Sequence, residues 1–301
     1  MSRPLQLLIL SDGKPGHRNQ SLGLAEALAR LTPTETRTID LGDFPRGKKI
    51  RHAADIIRHG PAPDWIIATG HGTHLCALLL SRRYRCRSIV LMKPSWPYSF
   101  FDACLVPTHD LKAGKAPARV IPTMGALNRI VPAPVRESKG LILIGGESKD
   151  YAFDPDSLRD AISQLLSQTE LDWHIADSRR TPDAFLSSLG HLSATLHPHR
   201  NTDADWLPRL LCRCESVWVT CDSVSMIYEA LSSGARVGIL PMPARKSTSK
   251  IARAIETLCE EGKIMTFKHL QEKGRLVSCA PFAEADRCAK ILLEKFPPPI
   301  S

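Results

Sequence analysis

No apolar run in the 301-residue chain approaches the length of a membrane-crossing helix, which argues against an integral helical membrane protein. The opening segment, Met1 to Leu10, carries one arginine and a six-residue apolar run broken by Gln6. That is too short for a secretory leader. A Cys-x-x-Cys pair is also missing, and Cys212-Arg213-Cys214 is too tight for a zinc knuckle. The nine cysteines are odd in number and follow no framework spacing, so reduced thiols in a reducing compartment are expected. No aromatic residues interleave with basic runs such as Arg46–Arg51 and Arg245-Lys246, as single-strand nucleic-acid binding requires, so nucleic acid is not an expected partner. Internal repeats and low-complexity tracts are absent. A cytoplasmic protein, at most peripheral to the inner face of a membrane, fits these absences.

What is present is ordinary in amount, with 43% hydrophobic and 24% charged residues. The formal net charge of +9 suits anionic partners such as nucleotides or an acidic membrane surface. The basic residues are dispersed, as in Arg46-Gly-Lys-Lys-Ile-Arg51 and Arg245-Lys246, and a solvated basic surface explains the same balance.

Short apolar runs alternate with amphipathic segments through both halves. Leu5–Leu10 reads as a buried strand, and a Gly/Pro-rich turn from Ser11 to Arg18 follows it. Asn19 then stands as a candidate cap for a helix carrying Leu24, Leu28 and Leu31. Strand-like runs return at 36–41, 65–69, 88–92, 103–106 and 119–121, with helical patterns at 50–59 and 73–84. The Pro-rich stretch 131–137 reads as a linker, after which the series restarts with a strand at 140–144. Strand–helix alternation predicts parallel sheets covered on both faces. The expected architecture is α/β, with two Rossmann-like domains facing across a cleft. Residues 1–130 form the first domain and 138–301 the second, with the last helix free to pack back on the first. Sites in such folds lie at the carboxyl ends of strands.

Six post-strand turns can carry chemistry. In Thr220-Cys-Asp-Ser-Val-Ser-Met-Ile-Tyr-Glu-Ala-Leu-Ser-Ser-Gly234, either Asp222 or Ser223 can cap the helix, and Gly234 stands where it stops. Asp222, Ser225 and Glu229 then share an arc of roughly 60°, with Met226 beside them. Hydroxyls and free N–H groups at the helix start can hold a diphosphate, and Glu229 can accept hydrogen bonds from ribose hydroxyls. A capped helix with a solvated polar face explains the same pattern. Leu143-Ile-Gly-Gly-Glu-Ser148 places Gly145, Gly146 and Ser148 at a turn where backbone can approach a phosphate, although a Gly-Gly is equally a tight turn. Ser178, Arg179 and Arg180 open a further helix and can pair with phosphate oxygens, or can simply be solvated.

In the first half, Ser11-Asp-Gly-Lys-Pro-Gly-His-Arg-Asn-Gln20 matches neither the P-loop nor the dinucleotide fingerprint. Its Asp12, Gly13, Lys14, Gly16, His17 and Asn19 are read as the acceptor-side edge of the site, with Asp12 or His17 as the base. Thr69-Gly-His-Gly-Thr73 adds His71, which is equally read as a helix-start histidine with no task, and Lys93-Pro-Ser-Trp-Pro97 adds Lys93 or aromatic stacking, unless its prolines only rigidify the loop. His71 with His74, and His197 with His199, lack acidic or thiol partners at ligand spacing, so no metal site is expected.

Together these segments resemble a known family. Ser11-Asp-Gly-Lys-Pro-Gly-His-Arg-Asn-Gln-Ser-Leu-Gly-Leu-Ala-Glu-Ala is similar to the opening signature of bacterial relatives of the plant Elm-type mitochondrial-fission protein. The pattern continues in Ile67-Ala-Thr-Gly, Val106-Pro-Thr-His-Asp110, Leu143-Ile-Gly-Gly-Glu-Ser and Ser178-Arg-Arg-Thr-Pro, and is strongest in Thr220-Cys-Asp-Ser-Val-Ser-Met-Ile-Tyr-Glu-Ala. The resemblance implies a glycosyltransferase fold of the two-Rossmann-domain, or GT-B, type. The helix from Ser223 to Gly234 also resembles the donor-binding helix of the N-acetylglucosaminyltransferase that completes the peptidoglycan lipid precursor. That likeness implies a Ser-rich start at the diphosphate and Glu229 on the ribose. The chain departs from the family at Glu147, where Asp is usual, and at Met92-Lys-Pro-Ser-Trp, where an Asp-Pro-Arg-like stretch is usual.

The leading expectation is a metal-independent glycosyltransferase needing no cofactor, with a nucleotide-diphosphate sugar as donor. Its acceptor would be lipid-linked or belong to the cell envelope. Two other readings stay open: a non-catalytic protein of the same fold that binds partners or an anionic membrane surface, and a sugar-nucleotide epimerase.

Overall fold

Alternate residues of the first strand point into two different cores, which is what a fully buried parallel strand requires. Leu5, Leu7 and Ile9 join one apolar cluster, and Leu8 and Leu10 join another. In this computed structural model the described residues are 3–298, apart from 43, 112–113, 115, 134, 246–249 and 274–279. Lys246 and position 134 of the expected linker therefore lie outside the described residues.

The chain divides into two compact units, Met1–Arg129 with Ala283–Ser301, and Ile130–Phe282. The first unit runs β1 (Leu5–Ser11), α1 (Pro15–Leu31), β2 (Thr34–Asp40), α2 (Arg46–Arg58), β3 (Trp65–Thr69), α3 (His71–Tyr84), β4 (Arg87–Leu91), β5 (Ala103–Pro107) and β6 (Val120–Thr123). All five strand pairings are parallel, and the sheet order is β2-β1-β3-β4-β5-β6. Because β1 sits between β2 and β3, the order reverses there, and the turns after β1 and β3 lie side by side.

The second unit runs β7 (Glu137–Leu143), α4 (Pro155–Ser167), β8 (Asp172–Ala176), α5 (Asp183–Ser188), β9 (Thr195–His197), α6 (Trp206–Leu211), β10 (Cys214–Thr220), α7 (Val224–Ser233), β11 (Arg236–Leu240), α8 (Lys250–Glu260), β12 (Met265–Thr266) and α9 (Phe267–Lys273). Its parallel sheet has the order β12-β11-β10-β7-β8-β9, so the reversal falls between β7 and β10. The same two-face logic holds here. Leu141, Leu143, Val217 and Val219 face one core, while Ile142, Ile144 and Trp218 face the other.

The last helix, α10 (Glu284–Lys295), belongs to the first unit. Cys288, Ala289 and Leu292 share a core with Leu24 and Leu28 of α1, and Phe296 meets Trp65 edge-on at 6.1 Å. Eight cysteines lie among the described residues and all are free thiols. No helix among those residues is long and apolar enough to cross a membrane.

One local expectation is corrected, and one pair of elements is added. Helix α1 starts at Pro15, not after Asn19, because proline at the first helical position has its φ already set and lacks only an N–H that the helix leaves free. Asn19 therefore lies inside the helix and caps nothing. Residues 265–273, which carried no expectation, form β12 and α9.

Candidate functional site

In the first unit the site grows from the turn after β1. Asp12 leaves the strand, and its carboxylate accepts from the Lys14 N–H at 3.3 Å, just ahead of α1. His17, in the first turn of α1, brings Nδ1 to 2.9 Å and 3.0 Å from the two Asp12 oxygens. A carboxylate on Nδ1 fixes the ring and leaves Nε2 to act on a substrate. The neighbouring turn after β3 makes room for this pair. Gly70 has φ +93°, and a Cβ there would stand 2.5 Å from both Asp12 Oδ2 and His17 Nδ1. Only glycine fits on both counts.

A cavity of about 390 Å³ opens at this point, lined by His17, Gly70, His71, His74, Met92, Lys93, Pro94 and Asp110. His71 is exposed at the start of α3, and its Nδ1 is bonded to Ser95 Oγ. Lys93 is exposed in the cavity wall. His74, unremarked in the sequence beyond its failure as a metal ligand, is 1% exposed. Burial, and then the nearby His71 and His17, lower its pKa to about 4, so it stays neutral at physiological pH. Its Nδ1 accepts from the Ser95 N–H at 3.2 Å, and its buried Nε2 has no partner among the described residues. Gly13 adopts φ +81° before α1; Lys14 and Gly16 are exposed, and Asn19 is half-buried.

In the second unit three turns meet at the ends of the adjacent strands β10, β7 and β8. The Gly145 N–H donates to Thr220 Oγ1 at 2.7 Å, and the Gly146 N–H donates to Asp222 Oδ2 at 3.1 Å. Thr220 Oγ1 in turn donates to Asp222 Oδ1 at 2.6 Å. Arg180 Nη1 lies 2.7 Å from Asp222 Oδ2. A Cβ on Gly146 would stand 1.9 Å from the Arg180 carbonyl oxygen, so the diglycine is a requirement of this junction. Thr181 Oγ1 donates to the carbonyls of Ile144 and Gly145, and accepts from the Ser178 N–H. The structure thus brings Gly145, Gly146, Ser178, Arg180 and Asp222 together. Thr181 and Thr220, which tie them, were missed because the glycine-turn partners they reach lie 36 to 75 residues away in sequence.

The cap expected at Asp222 or Ser223 is corrected. Ser223 occupies the N-cap position of α7 without a side-chain cap bond, and Asp222 precedes the helix altogether. The Asp222 carboxylate is taken by Thr220, Gly146 and Arg180, so it does not share a helical face with Ser225 and Glu229. Ser225 is exposed, Ser223 is buried, and Met226 packs partly against the core. Ser148 accepts from the N–H groups of Asp150 and Tyr151. Arg179 is exposed and has no ion-pair partner among the described residues.

Glu229 is half-buried one and a half turns into α7, with no hydrogen-bond partner among the described residues. Burial alone pushes its carboxyl up to about 7. A desolvated carboxyl lacking a protein donor gains most from a ligand that brings donors to it. A larger cavity in this unit, about 710 Å³, lies around Met242, Ile255 and Phe267 and includes none of the expected site residues. Among the described residues no group of three or more His, Cys, Asp or Glu gathers as metal ligands.

Comparison with known proteins adds a family and a fold. The family model described as mitochondrial fission ELM1 matches residues 15–296. An uncharacterized protein from Rickettsia prowazekii is 25% identical, the match covering 96% of this chain and 98% of that one. Among solved structures, a Listeria monocytogenes protein assigned as a UDP-N-acetylglucosamine 2-epimerase aligns with TM-score 0.62 and 14% identity over 97% of both chains. The UDP-GlcNAc 2-epimerase of Neisseria meningitidis, solved with UDP-GlcNAc bound, aligns at 0.56 and 13% over 96% of this chain and 99% of that one. The glycosyltransferase SnogD from Streptomyces nogalater aligns at 0.52 and 15% over 99% and 96%. These likenesses establish a GT-B-like fold, shared by glycosyltransferases and epimerases.

Proposed function

The chain belongs to the mitochondrial fission ELM1 family, and we propose that it is a glycosyltransferase moving a sugar from a nucleoside-diphosphate sugar to an acceptor hydroxyl. The observation that carries this reading is the Asp12–His17 pair, a carboxylate-oriented imidazole in the wall of a cavity. In the proposed step, His17 Nε2 takes the proton of the acceptor hydroxyl as its oxygen attacks the anomeric carbon. The bond from that carbon to the diphosphate breaks, and the electron pair leaves with the nucleoside diphosphate. Asp12 stabilises the imidazolium formed, as a buried carboxylate does in hydrolytic triads.

The second unit supplies the donor side of this scheme. The N–H groups at the start of α7 and the exposed Arg179 offset the charge of the leaving diphosphate, with Ser223 and Ser225 offering hydroxyls. Arg180 is already held by Asp222 and acts chiefly by shaping the turn. Glu229 receives the ribose hydroxyls, which restore the charged state that burial opposes. The scheme asks for no metal ion. The Neisseria structure holds UDP-GlcNAc, so uridine-diphosphate sugars are the first donors to test.

A thermal-shift series over nucleoside diphosphates and their sugars tests the reading. Wild-type protein should be stabilised by at least one of them, by about 2–3 kcal/mol at a hundred times its Kd, and Glu229→Ala should lose the shift. Stabilisation by none of them overturns the proposal. An epimerised sugar nucleotide formed without acceptor replaces transfer with epimerisation.

A further inference from the structure

Residues 65–101 contain five Arg or Lys and no Asp or Glu at all. Arg87 pairs with Asp102 at 3.1 Å. Arg82, Arg83, Arg85 and Lys93 are exposed, and no carboxylate among the described residues pairs with them. The same stretch holds four of the exposed large apolar side chains, Leu75, Leu79, Trp96 and Phe100, each 40–45% exposed.

These side chains belong to one surface. Leu75 and Leu79 lie one turn apart on α3, and Arg82 and Arg83 continue that stripe at three- and four-residue spacing from Leu79. Trp96 and Phe100 follow β4 with ring centroids 6.3 Å apart. Ser95, next to Trp96, is fastened to the first turn of α3 through His71 and His74. Phe101, next to Phe100, packs with Leu78 from beneath. The fold therefore spends buried contacts to hold an aromatic pair beside a leucine pair, with the water-facing sides of all four left uncovered.

Exposed apolar residues scattered singly need no explanation. Four together, continued on α3 by Arg82 and Arg83, with which no carboxylate among the described residues pairs, form the pattern of a membrane-interface face. Tryptophan and phenylalanine suit the headgroup boundary, leucines reach the acyl edge, and arginines meet anionic headgroups. We propose that the first unit docks on anionic lipid bilayers through Leu75, Leu79, Trp96 and Phe100, with Arg82 and Arg83 as the electrostatic contacts. This docking needs no nucleotide and no step of the proposed transfer. It also places the cavity that shares Lys93 and His71 beside the bilayer, where a lipid-linked acceptor would present its hydroxyl.

Co-sedimentation of the full chain with vesicles tests the proposal, using phosphatidylcholine alone and phosphatidylcholine mixed equally with phosphatidylglycerol. Wild-type protein should pellet only with the anionic vesicles. Binding should fade in about 1 M salt, where the screening length falls to about 3 Å. The double variant Leu79→Ser/Trp96→Ser should bind at least about tenfold more weakly. Arg82→Gln/Arg83→Gln, at two exposed positions of α3, should weaken binding by about fivefold per charge. Arg200→Gln, an equally exposed charge in the second unit, should bind as wild type. Failure of wild-type protein to pellet, or equal binding by the arginine variant, overturns the proposal. So does self-association of the free protein that Trp96→Ser abolishes, since the face would then be a protein contact. None of these outcomes bears on nucleotide binding, which the thermal-shift series reads separately.

Discussion

Asp222, whose side chain is fully buried, holds Arg180, which is not: the guanidinium nitrogen stands 2.7 Å from Oδ2 with nearly half its side chain in water. The buried carboxylate also receives Thr220 Oγ1 and the Gly146 N–H. Removing it strands three donors at once. Asp222→Ala should therefore destabilise the chain by about 3 kcal/mol. Asp222→Asn, which keeps the shape and loses the charge, should cost about 1–2 kcal/mol. Denaturant unfolding of the full chain checks the order; equal stability of all three proteins would show that Asp222 anchors nothing.

Glu229 should behave in the opposite way. Its folded pKa of about 7 lies above the ordinary value of 4.5, so the folded protein binds the extra proton and its stability falls as pH rises from about 4.5 to 7. Above that window the cost of holding a charged, desolvated carboxylate is fully present; below it the cost is gone. Glu229→Gln should then raise the stability of the ligand-free protein at pH 8 by about 1–2 kcal/mol, discounted for its partial exposure, with little change at pH 4. The same variant should bind a nucleoside diphosphate at least about tenfold more weakly, as loss of a charged hydrogen-bond acceptor predicts. Gained stability with lost affinity identifies a group kept for a ligand. Melting curves at the two pH values, with and without nucleotide, read both.

The two sheets were legible because fully buried strands appear as apolar runs such as Leu5–Leu10, and nothing else of that length competes for the assignment. The site turns were legible because Gly-Gly and Gly-His-Gly follow such runs directly. The connections between them were not. Asp222 was grouped with Ser225 and Glu229 by helical spacing, but Thr220 and Gly146 claim its carboxylate, and the partner strand that brings Gly146 is 76 residues away. His17 was seen as part of a loop, since Asn19 fits a cap by preference; Pro15 sets the true start and so puts His17 on a rigid turn. His74 was weighed only as a metal ligand, because nothing in the sequence shows a buried ring nitrogen without a partner among the described residues.

Thiol chemistry should be silent in both cores. Burial pushes Cys76, Cys104, Cys214, Cys221 and Cys288 up to about 12, where the reactive thiolate is scarce. Iodoacetamide at pH 8 should leave these five unmodified in the native protein while labelling the half-buried Cys212. Mass spectrometry of tryptic peptides before and after unfolding checks this. Native labelling of any of the five would indicate that its core opens.

Gly70 gives the most direct test of the imidazole–carboxylate pair without touching either partner. Alanine there meets two independent objections: a φ of +93° that side chains resist, and a methyl group 2.5 Å from Asp12 Oδ2 and His17 Nδ1. The backbone strain costs about 1–3 kcal/mol, and the clash must push the imidazole and carboxylate apart. On the proposed scheme, Gly70→Ala should lose sugar transfer by about a hundredfold or more, while affinity for nucleotide, which that scheme assigns to the second unit, should stay within about threefold. Gly16→Ala provides the contrast, because a Cβ at that exposed position of α1 meets nothing within 4 Å. It should stabilise the helix by about 0.5–1 kcal/mol and leave the pair intact. If Gly70→Ala keeps full activity, the geometry of Asp12 and His17 is not what drives the reaction, and the base must be sought elsewhere.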